Sequence, residues 1–232
     1  MTRPRLLLLH AFPFDARMWD DVRAGLEDAD WEVDAPDLPG EGSIADWAPG
    51  LLEGDGRLVP VGSSLGGYVA LELWRRAPKR IAGLALVGSR AAADTPEVKE
   101  TRDKTLAFLD EEGAAGLWPG LSERLFAPAV PAEVVELAGS IALDQPTERL
   151  KAHVRAMRDR PDSTDLLPGI SVPVLVVAGV DDQVVPRAEA RELAAALPEG
   201  ELVTLDGTGH LPAFEWPAEL TRRIRRFLED VP

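Results

Sequence analysis

The chain has 232 residues, 45% hydrophobic and 28% charged, the composition of a globular protein able to bury one substantial core. Its 25 basic side chains against 40 acidic ones leave a formal charge of −15, which repels phosphate backbones and anionic membrane surfaces and argues against nucleic-acid and membrane partners. There is no cysteine, so disulfides, thiolate nucleophiles and cysteine-ligated metals are excluded.

Arg3 and Arg5 ahead of four leucines resemble the start of a signal peptide, but the apolar run stops at His10 and is too short for one. No later stretch reaches the length of a bilayer span, and a cytoplasmic protein is the expectation. Residues 6–10 read as a first strand, 18–26 as a helix and 31–35 as a second strand. A turn through Asp37, Leu38, Pro39, Gly40, Glu41, Gly42 and Ser43 leads into a short helix at 44–52. Residues 58–61 are a third strand, short and uniformly apolar, and 64–77 a helix that stops at Ala77-Pro78.

Between that strand and that helix lies Gly62-Ser63-Ser64-Leu65-Gly66, a G-x-S-x-G turn of the nucleophile-elbow type. The serine of such a turn sits at a strained backbone position, and the residues two before and two after it must lack side chains so that strand and helix can approach. Ser64 meets this test with Gly62 and Gly66; Ser63 fails it, because Val61 stands two before it.

Residues 81–87 form a fourth strand, after which 95–167 contain no convincing strand, only helical runs punctuated by glycines and prolines. A helical stretch of this length between strands reads as an insertion over one end of a sheet, a candidate lid. Strands at 174–179 and 201–205, with helices at 187–197 and 216–228, complete the chain. In the last helix Arg222, Arg223, Arg225 and Arg226 alternate with Leu220, Ile224, Phe227 and Leu228, so the basic run is the wet face of an amphipathic helix. The order implies an α/β fold with a doubly wound, mostly parallel sheet. Residues 1–94 and 168–232 form its core and 95–167 the lid.

A serine hydroxyl needs an imidazole to take its proton and a carboxylate to orient that imidazole. Three histidines exist. His210 follows Asp206-Gly207-Thr208-Gly209 just after the last strand and is the best-placed base; His153, in a helical run, reads as a surface residue, and His10 as a loop-fixing hydrogen-bonding group. Asp181 and Asp182, on the loop leaving the 174–179 strand, both face the required sheet edge. Backbone donors for an oxyanion are expected at Leu65 and, on the loop after the first strand, at Phe12, since Pro13 has no amide to offer.

Taken together, Leu9-His10-Ala11-Phe12-Pro13 with Met18-Trp19, the 37–43 turn, the elbow around Ser64, the 173–179 strand with Asp182 and Pro186, and Thr208-Gly209-His210 resemble the α/β-hydrolase superfamily over essentially the whole chain. The resemblance implies Asp182 as the acid, three residues after Gly179, with Asp181 the lesser candidate. It departs from the usual pattern at Ala11, where the family has glycine, and at Glu41, where it has histidine. The chain also enters its first parallel strand without the usual N-terminal hairpin, which implies a reduced sheet of about six strands.

Serine rather than aspartate at the elbow implies acyl transfer to water. The expected reaction is hydrolysis of a small carboxylic ester or lactone by Ser64, His210 and Asp182, closest in look to 3-oxoadipate enol-lactonases, small esterases and cofactor-free haloperoxidases. Lyase or carbon-carbon hydrolase chemistry, with Arg90, Arg124 or Arg155 on a substrate carboxylate, and a slow-turnover ligand receptor are the alternatives. Trp118, Leu121, Leu125 and Phe126 form an apolar cluster fit to cover an acyl group. No phosphate-loop pattern or metal-spaced histidine pair occurs, so neither cofactor nor metal is expected.

Overall fold

The computed structural model describes residues 3–27, 29 and 31–232. Six strands, β1 (Arg5–Leu9), β2 (Val33–Asp34), β3 (Leu58–Ser63), β4 (Leu84–Val87), β5 (Val174–Gly179) and β6 (Gly200–Leu205), form one sheet in the order β2-β1-β3-β4-β5-β6. All five pairings are parallel. The second strand is shorter than the 31–35 run suggests, and at 81–83 the chain makes only an isolated bridge from Ile81 to Leu58 before β4 begins.

The strands are apolar throughout because both faces of the sheet are covered. Leu7 and Leu9 of β1 pack on one face with Leu58, Leu84, Leu86, Val174 and Val176; Leu6 and Leu8 point to the other, with Val59, Val61, Ala85, Val87, Leu175 and Val177. On the first face lie α2 (Ile44–Leu51), α3 (Leu65–Arg76) and α7 (Arg187–Ala195), and on the second α1 (Asp20–Glu27) and α9 (Pro217–Leu228). Each fully buried leucine or valine contributes roughly 1.5–3 kcal/mol relative to exposure, so the two layers hold the strand ends firmly.

In α9 the apolar stripe Leu220, Ile224, Phe227, Leu228 is buried, while Arg222 and Arg223 pair with Glu219 on the outer side. Ser43 and Asp46 form a capping box that starts α2, and the Trp47 indole N–H donates to the Glu41 carbonyl at 2.6 Å. The 37–43 turn is thus held by its backbone and cap, which is why glutamate serves at position 41.

Between β4 and β5 run α4 (Pro96–Leu125), α5 (Ala132–Leu143) and α6 (Thr147–Arg158). Helix α4 is broken at Gly113, whose φ of 62° and ψ of −161° lie outside the helical region, so it consists of two limbs at an angle. No described helix is long and apolar enough to cross a membrane.

Candidate active site

Parallel strands present all their carboxyl ends at one edge, and the candidate residues lie there. Ser64 directly follows β3, Asp182 comes three residues after β5, and His210 lies on the loop after β6. The edge is rigid because the ladder continues past the strands: Ser64 N–H donates to Val87 O at 2.8 Å, Gly88 to Val177 at 2.9 Å and Val180 to Leu205 at 2.9 Å.

Ser64 has φ 50°, and among the described residues no other non-glycine has a positive φ. Two close approaches impose this. A Cβ on Gly62 would run into the Gly66 carbonyl, and a Cβ on Gly66 would run into the Leu9 carbonyl. Helix α3 therefore starts against the end of β1 as well as β3, and Ser64 is pushed out at the tip of the turn. Its own carbonyl accepts the Ser89 hydroxyl at 3.0 Å. Leu65, the first residue of α3, is buried, and its amide belongs to the turn whose N–H groups have no partner within the helix.

His210 is 2% exposed and places Nδ1 2.8 Å from Asp182 Oδ2. The other Asp182 oxygen accepts the backbone amides of Val184 at 2.7 Å and Val185 at 2.9 Å, so the carboxylate is both buried and held in orientation. Asp181 is exposed, with its backbone amide donating to Thr208. The two aspartates diverge because the turn after β5 directs adjacent side chains to opposite sides.

The remaining histidines are structural. His10, fully buried, accepts the Leu38 amide on Nε2 at 2.9 Å and places Nδ1 3.1 Å from the Ala11 carbonyl, tying the loop after β1 to the 37–43 turn. Burial lowers its pKa to about 3, so it is a neutral imidazole at ordinary pH. His153 is not at the surface as its helical run suggests: it is completely buried, its Nε2 3.0 Å from the Pro39 carbonyl and its ring 5.7 Å from that of His10. Leu150, His153, Val154 and Met157 form the inward face of α6, and a histidine on that stripe is carried inside with its neighbours. Burial, followed by the nearby Arg149 charge, lowers its pKa to about 4.

Ser64, His210 and Phe12 line one cavity of about 600 Å³, closed on one side by α4. Val98, Thr101, Arg102, Thr105 and Phe108 face it from the first limb of α4, and Leu117, Leu121, Arg124 and Leu125 from the second. Both sets recur at helical spacing, a signal the sequence carries but which does not show what the stripe faces. Leu121 and Leu125 thus line the cavity. Trp118 and Phe126 instead pack edgewise among Phe14 and Phe214, docking the end of α4 on the core.

Glu215, the last residue of α8 (Pro212–Glu215), has no signal in the sequence. Its carboxylate accepts the amides of Gly209 and Leu211, on either side of His210, and of Ala127 just past α4, at 2.8, 3.0 and 2.9 Å. The His210 amide in turn donates to Leu125 O at 2.8 Å. Desolvation raises the Glu215 pKa, opposed by those three donors. Glu215→Ala, which orphans three amides, is expected to lower unfolding free energy by roughly 2–5 kcal/mol in urea denaturation and to reduce kcat more than it raises KM. A variant as stable and active as the parent would show that the His210 loop holds itself.

A family model described as the alpha/beta hydrolase family matches residues 6–223. A pimeloyl-[acyl-carrier protein] methyl ester esterase of Aromatoleum aromaticum is 30% identical over 94% of this chain and 96% of its own length. A thermophilic esterase from Thermogutta terrifontis superposes with a TM-score of 0.91 at 34% identity, covering 98% of this chain and 90% of that one. An enol-lactonase from Burkholderia xenovorans, at 24% identity, shares the fold with a TM-score of 0.85 over 99% of this chain and 92% of its own.

Proposed function

The chain belongs to the alpha/beta hydrolase family, and from that premise we propose that it hydrolyses a small carboxylic ester or lactone through an acyl-enzyme on Ser64. The observation that carries the reading is His210, which shares a cavity with Ser64 while its Nδ1 rests on the buried Asp182 carboxylate. In this reading Asp182 holds the proton on Nδ1, leaving Nε2 free to accept one from the serine hydroxyl. Ser64 Oγ attacks the acyl carbon, the carbonyl oxygen becomes an oxyanion facing the amides of Leu65 and Phe12, and His210 returns the proton to the departing alcohol. Water then repeats the sequence on the acyl-serine and releases the acid. Losing one oxyanion donor from such a site typically costs about 2.7–4 kcal/mol of transition-state stabilisation.

Relatives named as methyl ester esterases support a small alcohol as leaving group. Residues 95–167 serve as the lid in this reading, with the two limbs of α4 as the wall facing the nucleophile and residues 1–94 and 168–232 as the core. A panel of p-nitrophenyl esters and lactones tests the proposal, with mass spectrometry of the protein after a fluorophosphonate probe. Turnover of short acyl chains and one phosphonyl adduct on the peptide holding Ser64 are expected; no turnover of any ester or lactone, or labelling elsewhere, overturns it.

A further inference from the structure

Phe12 lines the cavity beside Ser64, and its backbone amide has no acceptor among the described residues. The loop that carries it is bounded by two buried polar side chains, His10 two residues before and Asp15 three residues after. Contacts inside the loop, Phe14 N–H to Ala11 O at 2.9 Å and Ala11 N–H to Met18 Sδ at 3.0 Å, give it shape without tying it to another element. The ties to other elements run to the 37–43 turn and to the turn between α5 and α6. His10 Nδ1–H donates to the Ala11 carbonyl, so Nε2 is an acceptor; it takes the Leu38 amide and lies 3.4 Å from an Arg149 guanidinium nitrogen. Asp15 Oδ1 accepts the Arg17 amide at 3.0 Å, and Oδ2 accepts the side-chain amide of Gln145 at 2.7 Å.

Gln145 is 5% exposed and every atom of its amide is committed. The NH₂ group donates to Asp15 and, at 3.0 Å, to the Ile141 carbonyl, while the oxygen accepts from Arg149 at 3.0 Å. Arg149 continues to the Leu38 carbonyl at 3.2 Å. A buried chain of bonds therefore runs from Asp15 through Gln145 and Arg149 to the 37–43 turn. Burial opposes ionisation of Asp15, but bonds from Arg17 and Gln145 hold its pKa at about 2, so the Gln145 NH₂ meets a carboxylate. Bonds to an ionised acceptor are stronger than neutral ones, and a buried carboxylate that loses a donor shifts until it finds another.

On the ester-hydrolase reading above, we propose that Gln145 is a positioning residue for the oxyanion site: through Asp15, with Arg149 behind it, the α5–α6 turn sets where the Phe12 amide points. The segment between β4 and β5 thus completes the catalytic arrangement as well as walling the cavity. Hydrogen-bond donors stabilise an oxyanion only when aimed at the place where it forms, and a displacement of about 1 Å costs up to about a hundredfold in rate.

The test compares inhibition by two ketones of equal chain length, a trifluoromethyl ketone and its methyl ketone counterpart. Ser64 Oγ adds to the activated carbonyl carbon, its proton passes to His210, and the carbonyl oxygen becomes an oxyanion; the methyl ketone occupies the same space without that charge. The methyl-to-trifluoromethyl ratio of inhibition constants is expected to exceed one by about a hundredfold or more in the parent. In Gln145→Met, close in size and without donors, the ratio is expected to fall by about tenfold, kcat/KM for p-nitrophenyl butyrate to fall in parallel, and methyl ketone inhibition to stay within about twofold. Arg75→Gln is the comparison, since Arg75 holds the far end of the segment at Asp162 O and Ser163 Oγ and has no hydrogen bond to the Phe12 loop; its ratio is expected to match the parent. Should Gln145→Met fail to fold, Arg149→Lys, which keeps the charge but gives up the fork reaching both Gln145 and Leu38, carries the same comparison. An unchanged ratio, equal weakening of both ketones, or an equal fall in Arg75→Gln overturns the inference while the esterase reading stands. A parent that turns over no ester and binds both ketones alike overturns both.

Discussion

Ser64→Ala is expected to lower kcat for ester hydrolysis by about 10⁶-fold while leaving the fold intact. In the proposed reaction alanine removes only the attacking hydroxyl, since the elbow is set by Gly62 and Gly66 and both alanine and serine bear the same Cβ at the positive φ. Residual rate would come from the oxyanion amides and from substrate positioning, which survive the change. Thermal unfolding within a degree or two of the parent, alongside the lost activity, separates a missing nucleophile from a collapsed site. A variant retaining more than about 1% of the parent kcat would place the nucleophile elsewhere.

Asp182→Asn is expected to lower kcat by about 10⁴-fold, against less than about twofold for Asp181→Asn. The Val184 and Val185 amides both donate to one Asp182 oxygen. An asparagine placed there turns its carbonyl to those two donors and its NH₂ to His210. The imidazole must then accept on Nδ1 and carry its proton on Nε2, where it cannot take one from Ser64. The exposed Asp181 side chain has no such geometry. Partial recovery of the asparagine variant at high pH is the accompanying signature; equal damage from both substitutions would mean that the acid is misassigned.

The elbow is legible in the sequence because its constraint is local. Two glycines at fixed distance from a serine, after an apolar strand and before a helix, describe one backbone geometry, and the carbonyl contacts at Gly62 and Gly66 are that geometry in space. The strands are legible for a related reason, as residues buried on both faces leave no polar position in the run. Whether Asp181 or Asp182 meets His210 is not local. It depends on how the turn after β5 leaves the sheet, and spacing alone is equally compatible with both aspartates.

His153 marks the opposite limit. Its run has the charge and pattern of a surface helix, with Lys151 and Arg155 beside it, yet the ring is buried against His10 and Trp47 because α6 lays that stripe on the core. The same holds for Trp118 and Phe126, which are as apolar as Leu121 and Leu125 but pack with Phe14 and Phe214 instead of lining the cavity.

What the sequence by itself determined is the covalent spacing of the chemistry: a serine between two glycines, a carboxylate after β5, a histidine after β6, and the apolar runs that bring those three loops to one edge. These follow from sterics and burial acting over a few residues. Tertiary structure decided which carboxylate faces the imidazole, that Glu215 holds the histidine loop to the end of α4, and that Arg90, Arg102 and Arg124 line the cavity of a chain with a formal charge of −15. Those outcomes depend on side chains distant in sequence arriving at one place, and net charge sums over the chain while Coulomb energy depends on where each charge stands.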